Sequence, residues 1–565
     1  MTTPNPDLAA DNLDVKAVRG PRGVHPEQLF FNGSILTMDG SEPSYVECLV
    51  TSSGRIAFTG GVEEARRLFP SAEVRDLAGA ALLPGFVDAH SHLSAAFDLA
   101  DRVNVGPPPL GGCSDIESVL DTLEAFAKTQ GTAPGGWIVG YGYDQEALAE
   151  NRHITAADLD ARFPDHRLML VHVSSHGIVL NSAALAWAGI DENTPTPAGG
   201  VIARVPGTQR PAGLLMETAY LELVAPKLPV LGAQDKLALL DAVQQDYASH
   251  GYTHAQEGFS GVADLDLFQE AADAGLLYLD IAALGSFVEA RQWLGNPAYP
   301  TGNYRNGFKI AGLKVLQDGS PQGRTAFMGE PYLTGGLDGN PDWRGEPTMP
   351  FEVFAQIVAT TLAHGAQLYA HVNGDAAIDQ LIDAVERAGA TAADDARTVA
   401  IHSQFQRPDH LPAYLRLGIT PSYFTNHTYF WGDVHRANVG EAKAAFISPM
   451  RSALEAGLRV SNHSDFPVTA LDPLFMASTA MDRTTRTGHT LGPGERVGAY
   501  QALQALTTGP AHQLFEEDRK GMIKVGLLAD LVVLDADPLT AAPGTVQDIK
   551  VLETIKEGVT VYRRP

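Results

Sequence analysis

The sequence predicts an α/β fold: a (β/α)8 TIM barrel with a small β-sandwich domain built from both chain ends. The first observation is that amphipathic helices alternate with short apolar strands, which is typical of a parallel sheet buried on both faces. The second is a count of eight strands, which favours a barrel over an open sheet. These strands are Leu83–Ala89, Gly251–Gln256, Leu276–Ala283, Phe308–Leu316, Gln367–Val372, Thr398–His402, Ile419–Phe424 and Leu458–Ser464.

Four of the predicted helices are each followed at once by a glycine. A glycine in this position supplies the left-handed residue that closes a helix. The helices are Asp264–Ala274, Phe351–His364, Pro412–Leu417 and Ser448–Ala456, and the glycines are Gly275, Gly365, Gly418 and Gly457. Ser448 is the predicted N-cap of the last helix, with Pro449 in its first turn.

Short β-like runs separated by turn pairs lie near both chain ends, and neither group is large enough for a core of its own. They are Leu29–Met38, Tyr45–Val50, Arg55–Thr59 and Glu73–Leu77 at one end, and Asp530–Asp535, Ile549–Thr554 and Val559–Arg563 at the other. We therefore predict a composite β-sandwich domain from residues 28–82 and 519–565. Residues 1–27 are a predicted extension, and residues 83–518 the barrel, with an insertion at about 94–249. The insertion holds a helix that opens on a predicted capping box, Ser114 to Glu117.

Composition excludes several classes of protein. The chain has 565 residues and a formal charge of −27 without a basic patch, so nucleic acid and anionic membranes are poor partners. No apolar run approaches the ~18 residues of a membrane span, and the first residues do not resemble a secretory signal. Two cysteines exclude a disulfide scaffold and fit a reducing compartment, so we expect a cytoplasmic protein. A homodimer is compatible with this length.

Side chains that bind metals fall at or near the carboxyl ends of five predicted strands, the face of a barrel where active sites form. They are His90, His92, Lys314, His371, His402 and Asp465. A lone strand histidine is more often a hydrogen-bonded core residue. This many polar groups on one rim, however, would cost several kcal/mol of unpaired burial without a ligand. Imidazole and carboxylate ligands suit Zn²⁺, with Fe²⁺, Mn²⁺ or Co²⁺ as alternatives.

Seven segments carry a resemblance to a known family. They are LPGFVDAHSH, GWIVGYGYDQ, SSHGIVLNSAAL, LKVLQDGS…GRTA, AHVNGDAAID, SNHSDFPV and KVGLLADLVVLDADPL. With these motifs the chain resembles the amidohydrolase superfamily of metal-dependent hydrolases, and within it the amidohydrolase-3 (YtcJ-like) branch. The resemblance extends from about Leu29 to Arg563. The stretches TPSYFTNHTYFWGD and ISPMRSALEAGLRVSNHSDFPV resemble members that act on N-substituted formamides.

The resemblance implies a role for each of these six residues. His90 and His92 would hold one metal ion together with Asp465, and His371 and His402 would hold a second. Lys314 resembles the lysine that bridges the two ions after CO₂ has carboxylated it, so the site takes one or two ions per chain. Metal-bound hydroxide would attack the scissile carbonyl carbon, and Asp465 would carry the proton to the leaving nitrogen.

Four further residues are candidates for substrate contact: His176, Arg324, His427 and His463. His463 is a departure from the family, because relatives often have a glycine two positions before the aspartate. It could place an extra imidazole beside the metal or only fill space. A second departure is GTQRPAG at Gly207–Gly213, where the usual pattern is GEPTG.

The predicted function is hydrolysis of carbon–nitrogen bonds in small non-peptide amides, such as N-substituted formamides or acyl amines. A deaminase or a cyclic imide hydrolase would use the same site, although deaminases typically have one metal and no lysine ligand on strand four. The third alternative is a non-catalytic scaffold. Such relatives lose metal ligands, and here each expected ligand is present.

Overall fold

The computed structural model describes residues 25–99, 102–108, 111–228, 231–336 and 339–565. Most of the predicted extension at residues 1–27 lies outside these ranges. The chain divides into two compact units, which we describe separately. The smaller contains residues 95–236 and 467–470, and the larger contains the described residues before 95, residues 237–466 and residues 471–565. The predicted domain boundaries stay predictions.

Within the described ranges the strands are numbered in chain order. They are β1 Gln28–Leu36, β2 Tyr45–Ser52, β3 Arg55–Gly60, β4 Glu73–Asp76, β5 Ala81–Pro84, β6 Phe86–Val87, β7 Val103–Asn104, β8 Trp137–Tyr143, β9 Arg167–His172, β10 Gly177–Leu180, β11 Gly200–Arg204, β12 Pro211–Glu217, β13 Tyr252–Ser260, β14 Asp280–Ser286, β15 Phe308–Leu316, β16 Gln367–Val372, β17 Thr398–His402, β18 Ile419–Tyr423, β19 Ser461–Asn462, β20 Leu531–Leu534, β21 Val551–Lys556 and β22 Val559–Arg563.

The α-helices of the same ranges are numbered in the same way. They are α1 Val62–Leu68, α2 Leu93–Leu99, α3 Ile116–Gln130, α4 Ala156–Asp160, α5 Ser182–Ala188, α6 Thr218–Leu223, α7 Ala233–Ser249, α8 Val262–Asp273, α9 Ala290–Trp293, α10 Phe351–Ala363, α11 Asp375–Arg387, α12 His410–Leu417, α13 Asn426–Val439, α14 Glu441–Ala445, α15 Met450–Glu455, α16 Pro473–Asp482, α17 Ala499–Gln504 and α18 Thr508–Gln513. Among the described residues, no helix combines the length and the apolar character needed to cross a membrane.

The larger unit contains the predicted parallel sheet, with β6 and β13–β19 paired in consecutive order. Every pairing along this sheet is parallel. Beyond the ends of β6 and β19, the N–H of Asp465 donates to the carbonyl of His90 (3.2 Å), and the N–H of His92 to that of Phe466 (2.8 Å). These bonds join the segments that follow the two edge strands, so the TIM-barrel-like α/β fold is confirmed.

Strands from both chain ends form a second sheet of the larger unit, in the order β22-β21-β20-β5-β1-β2-β3, with β4 beside β1. Strand β5 joins the two halves, because it pairs parallel to β1 and antiparallel to β20. Phe30, Leu82 and Leu531 pack in one apolar cluster on this sheet. The chain ends therefore do combine, but the described strands form one continuous sheet, and the predicted sandwich is not confirmed.

A buried network of three lysines and three acids connects β14 and β15 of the barrel to β21 and the segment before β20. Its members are Asp280, Lys309, Glu516, Lys520, Asp530 and Lys556. Lys556 Nζ lies 2.9 Å from a carboxylate oxygen of Asp280 and 2.8 Å from one of Asp530. Lys520 Nζ contacts Asp280 at 2.5 Å and Glu516 at 2.9 Å. Equal numbers of each charge allow every charge to be paired away from water.

The smaller unit is built on a sheet with the order β11-β12-β10-β9-β8-β7. Helix α3 packs on it through Val119 and Leu123. The predicted capping residue of this helix is wrong by one position, because Asp115 is the N-cap. Its carboxylate accepts the N–H of Ser118 at 2.8 Å, and the Ser118 hydroxyl oxygen accepts the N–H of Asp115 at 3.1 Å. A carboxylate caps a helix as well as a serine hydroxyl does, so this pair replaces Ser114 and Glu117.

The helix ends of the barrel follow the glycine pattern. Gly275, Gly365, Gly418 and Gly457 all have positive φ, between 66° and 94°. The predicted N-cap Ser448 is wrong, since α15 begins at Met450 with Pro449 as its N-cap. Ser448 has φ +43°, and its carbonyl accepts the N–H of Met450 at 2.7 Å. This left-handed conformation moves the helix start beyond the position that the sequence predicted.

Candidate metal centre and active site

The segment after β6 that carries His90 and His92 is fixed by a buried carboxylate. Asp88 accepts the backbone N–H groups of His90 (3.2 Å) and Gln256 (2.9 Å), and also the hydroxyl of Ser91. Burial outweighs these bonds and raises the pKa of Asp88 to about 6. Asp88 thus joins the end of β6 to β13 and presents the two histidines on the carboxyl side of the barrel.

The first group of candidate ligands is His90, His92 and Asp465. The Nε2 atoms of both histidines lie 3.4 Å from Asp465 Oδ1. His90 Nδ1 donates to Gln256 Oε1 at 2.9 Å, so the Nε2 lone pair of His90 faces the carboxylate. Burial and the neighbouring Lys314 hold the pKa of His90 well below its usual range, which keeps the ring neutral.

The second group is formed by His371 and His402 on adjacent strands. His371 Nδ1 lies 3.2 Å from His402 Nε2, which in turn lies 4.0 Å from Asp465 Oδ2. His371 Nε2 is 3.3 Å from the carbonyl oxygen of Gly319, which can accept its proton and leave Nδ1 for a cation. Burial is the main cause that lowers the pKa of His402 far below its usual value. The carboxylate of Asp465 therefore lies near histidines of both groups.

His463 contacts His402 through the ring nitrogen of His402 that faces away from His371. Its Nε2 is 3.0 Å from His402 Nδ1, and its Nδ1 is 3.0 Å from the hydroxyl of Ser422. If His463 Nδ1 donates to Ser422, its Nε2 accepts the proton on His402 Nδ1, and His402 Nε2 keeps its lone pair. This is the usual arrangement by which a second residue orients a metal-binding histidine.

Lys314 is buried on β15, with Nζ 3.0 Å from His90 Nε2. Burial is the main reason that its pKa falls to about 7, although the charges of Asp465 and Glu257 oppose the shift. A lysine with this pKa is partly neutral near pH 7, and only the neutral amine reacts with CO₂.

The backbone is strained at two of the candidate ligands. His402, Ser403 and Asp465 have φ values of +69°, +42° and +51°, a region that residues other than glycine rarely adopt. Such conformations cost of order 1–3 kcal/mol each and cluster at functional sites. Here the positive φ values of His402 and Asp465 occur where the chain leaves the sheet, at the end of β17 and just after β19.

The predicted substrate-contact residues lie in different surroundings. His427 is buried on α13, with its ring 4.6 Å from that of Phe424, which lies 5.0 Å from the His463 ring. Arg324 donates to the carbonyl of Gly335 at 3.1 Å, within the segment that follows β15. His176 belongs to the smaller unit, where its Nδ1 contacts Glu217 at 3.0 Å.

The sequence did not predict four residues that lie within hydrogen-bond distance of the candidate residues or of their immediate neighbours. They are Gln256, Asn373, Ser422 and His435. Gln256 and Ser422 hydrogen-bond His90 and His463, as described above. The side-chain amide of Asn373 donates at 2.9 Å to the carbonyl oxygen of Gly319, the same oxygen that lies next to His371 Nε2, and His435 contacts His427. Only Asn373 and His435 carried a signal in the sequence, because each follows a candidate histidine on the same segment.

The first group fits a divalent cation. Ligand atoms about 2 Å from a tetrahedral zinc ion lie about 3.3 Å apart, close to the 3.4 Å separations around Asp465 Oδ1. That oxygen is buried and has no hydrogen-bond partner among the described residues. A buried carboxylate oxygen without a partner is costly, and a cation between it and the two imidazoles would remove the cost. His90, His92 and Asp465 also form the group of possible metal ligands found among the described residues.

Known proteins are similar to this chain in both fold and sequence. A structure of an uncharacterized metal-dependent hydrolase from Pyrococcus furiosus superposes with a TM-score of 0.70 at 24% identity, covering 91% of this chain and 100% of its own. Residues 73–562 match the model of the amidohydrolase family. The chain therefore belongs to the amidohydrolase family and is a hydrolase that acts on carbon–nitrogen bonds.

Two curated relatives align over nearly the whole chain. The N-substituted formamide deformylase of Arthrobacter pascens is 30% identical over 552 residues, covering 95% of this chain and 98% of that protein. The YtcJ protein of Bacillus subtilis (strain 168) is 26% identical over 557 residues, 95% of this chain and 99% of its own.

Proposed function

We propose that the protein hydrolyses the carbon–nitrogen bond of small non-peptide amides, with N-substituted formamides as the first candidates. The observation that carries this proposal is Asp465, whose unpartnered Oδ1 lies 3.4 Å from two imidazole nitrogens. The similarity to a formamide deformylase over 95% of the chain supports the substrate class. The reaction adds water across the amide bond and releases an amine and formate.

Two ions per chain account for the arrangement of ligands, with zinc as the metal that the donor set favours. His90, His92 and Asp465 would hold one ion, and His371 and His402 the other. When bound, divalent cations polarise the substrate carbonyl and make water a better nucleophile at neutral pH. Fe²⁺, Mn²⁺ and Co²⁺ suit the same ligands.

Lys314 would bridge the ions as a carbamate. Its neutral Nζ would add to the carbon of CO₂ and lose one proton, which gives an anion with two oxygens. The protonated form of lysine is a cation and cannot bind metal. The burial of Lys314 and its 3.0 Å contact with His90 Nε2 support this role. In a one-metal alternative, Lys314 would stay uncarboxylated and act through its charge.

Asp465 is the proposed proton carrier. Its carboxylate accepts a proton from the attacking water and returns it to the leaving nitrogen as the carbon–nitrogen bond breaks. The proton is essential because an amine leaves poorly as an anion. Burial opposes ionisation of Asp465, but the imidazoles around it, His402 foremost, hold its pKa well below the usual range. It is therefore ready to act as a base at neutral pH.

The direct test measures amine release from a panel of N-substituted formamides and acyl amines, together with metal ions per chain. We expect formamide hydrolysis that stops when a chelator removes the metal and returns with zinc. Ammonia from ring amidines, or ring opening of cyclic imides, with no amine from any formamide, would favour the alternative substrates. The cytoplasmic location and a homodimer stay predictions from the sequence.

A further inference from the structure

Two buried histidines of α13 form a pair next to the candidate centre. His427 Nδ1 lies 3.0 Å from His435 Nε2, and the two rings are nearly parallel, with an interplanar angle of 8° and centroids 5.3 Å apart. His435 is fully buried and His427 is 3% exposed. The ring of Phe405 packs against His435, and Phe424 and Trp431 pack against His427.

The position of the protons in this pair follows from the partners of each nitrogen. Burial lowers the pKa of both rings, that of His435 to about 3, so each ring is neutral and has one N–H. His435 Nδ1 is buried and finds no hydrogen-bond partner in the part of the chain that the structure describes. An unpaired buried N–H is rarer in proteins than an unpaired acceptor. The proton of His435 therefore belongs on Nε2, where it is donated to His427 Nδ1.

Because His427 Nδ1 accepts this bond, the single proton of His427 must be on its Nε2. We propose that His435 is a positioning residue that locks His427 in this tautomer, so that His427 presents an Nε2–H donor to the carbonyl oxygen of the substrate. The inference rests on the proposed amide hydrolysis and assigns His427 a donating role rather than that of a base.

The location of His427 supports this assignment. Helix α13 begins directly after the carboxyl end of β18, on the side of the barrel where the candidate ligands lie. The Phe424 ring contacts both His427 and His463, with ring centroids 4.6 Å and 5.0 Å away. A neutral donor aimed at the carbonyl oxygen stabilises the negative charge that develops there as water attacks.

The first arm of the test observes the tautomer itself. Zinc-loaded enzyme with ¹⁵N-labelled histidine is examined by long-range proton–nitrogen correlation NMR at pH 7.5, and His427 is assigned from the spectrum of His427→Asn. We expect a pyridine-like Nδ1 and a pyrrole-like Nε2 for His427. A pyrrole-like Nδ1 would overturn the proposal. This arm needs no turnover, so its result is separate from success or failure of the proposed function.

The second arm compares two substitutions of His435. The side-chain amide introduced by His435→Gln can keep an N–H near the position of Nε2, whereas His435→Leu fills the space without a donor. On the formamide that the wild type hydrolyses best, we expect the leucine variant to lose at least about 10-fold in kcat with KM and zinc content unchanged. The glutamine variant should stay within about threefold of the wild type. Equal loss in both variants would show that the donated proton is irrelevant and overturn the inference.

Discussion

At the scale of single residues, Asp465 is proposed to combine the roles of metal ligand and base in one side chain. Asp465 follows β19, and the histidines nearest to its carboxylate come from the segment after β6 and from β17. Asp465→Asn preserves the shape but removes both the charge and the basic oxygen. We expect kcat to fall by at least about 10²-fold while circular dichroism and thermal unfolding stay unchanged. The exposed Asp518→Asn is the matched control, and turnover within a few-fold of wild type would remove Asp465 from the mechanism.

Under the proposed function, Lys314 would decide whether the site holds one ion or two. Lys314→Ala removes the proposed bridge, so the metal content should drop from about two ions per chain towards one, and most activity should be lost. Short carboxylates such as acetate should restore part of both, because they supply the missing oxygens. Metal analysis after loading with zinc and bicarbonate is the measurement. A single ion per chain in the wild type under these conditions would contradict the bridge.

The contact between His463 and His402 suggests a role for the histidine that stands where relatives often have glycine. Since His463 Nε2 lies 3.0 Å from His402 Nδ1, loss of the imidazole should leave His402 poorly oriented. We expect His463→Leu to weaken zinc affinity by about 10–100-fold, measured by competition with a chromogenic chelator. His463→Gln retains an acceptor oxygen and should lose less. Wild-type affinity in the leucine variant would mean that His463 only fills space.

At the scale of elements, the buried network of lysines and acids connects the terminal sheet to the barrel. Lys556 on β21 contacts Asp280 on β14 and Asp530 just before β20. Lys556→Met would leave these carboxylates buried with too few cations. We expect the free energy of unfolding in urea to fall by about 3–5 kcal/mol.

Lys550→Met is the control for this change, because Lys550 is exposed and lies just before the same strand. It should alter the free energy of unfolding by less than about 0.5 kcal/mol. If Lys556→Met changed the free energy of unfolding as little as Lys550→Met, the network would contribute nothing to the attachment of the terminal sheet.

At the scale of the whole molecule, buried histidines make stability depend on pH. Burial lowers the pKa of His254 and His435 to about 3, and those of His172 and His427 well below the usual value of 6.5. Below about pH 6.5 the unfolded chain binds these protons and the folded chain does not, so stability is lost as the pH falls. Four acids whose pKa is raised by burial act in the opposite direction, but three further buried histidines with lowered pKa values add to the four named above. The acids are Asp88, Asp246, Glu257 and Asp530, and the histidines are His90, His402 and His463.

We therefore expect the free energy of unfolding of the chelator-treated protein to fall by at least about 2 kcal/mol between pH 7 and pH 5. Urea titrations at several pH values measure it. His364→Gln, at an exposed position, should leave the slope unchanged. A free energy that is constant over this range would show that these histidines are not buried in neutral form.

The sequence by itself determined the barrel and most of its strands. Strands β15, β16 and β17 begin and end where the sequence predicted, because a short continuous apolar run is a local signal. The positions of His90, Lys314, His371 and His402 at strand ends were likewise readable from the chain. Their distances from one another were not, since those depend on strands paired across hundreds of residues.

Only the tertiary structure decided how the chain ends combine and what surrounds the candidate ligands. Strand β5 joins both ends into one sheet by pairing with β1 and β20, a choice that no local pattern encodes. The contact of His463 with His402 required packing of segments 61 residues apart, which brings the two ring nitrogens to 3.0 Å. Local periodicity specifies which face of an element is buried, but the hydrogen-bond partner of a buried imidazole depends on which other elements pack against that face.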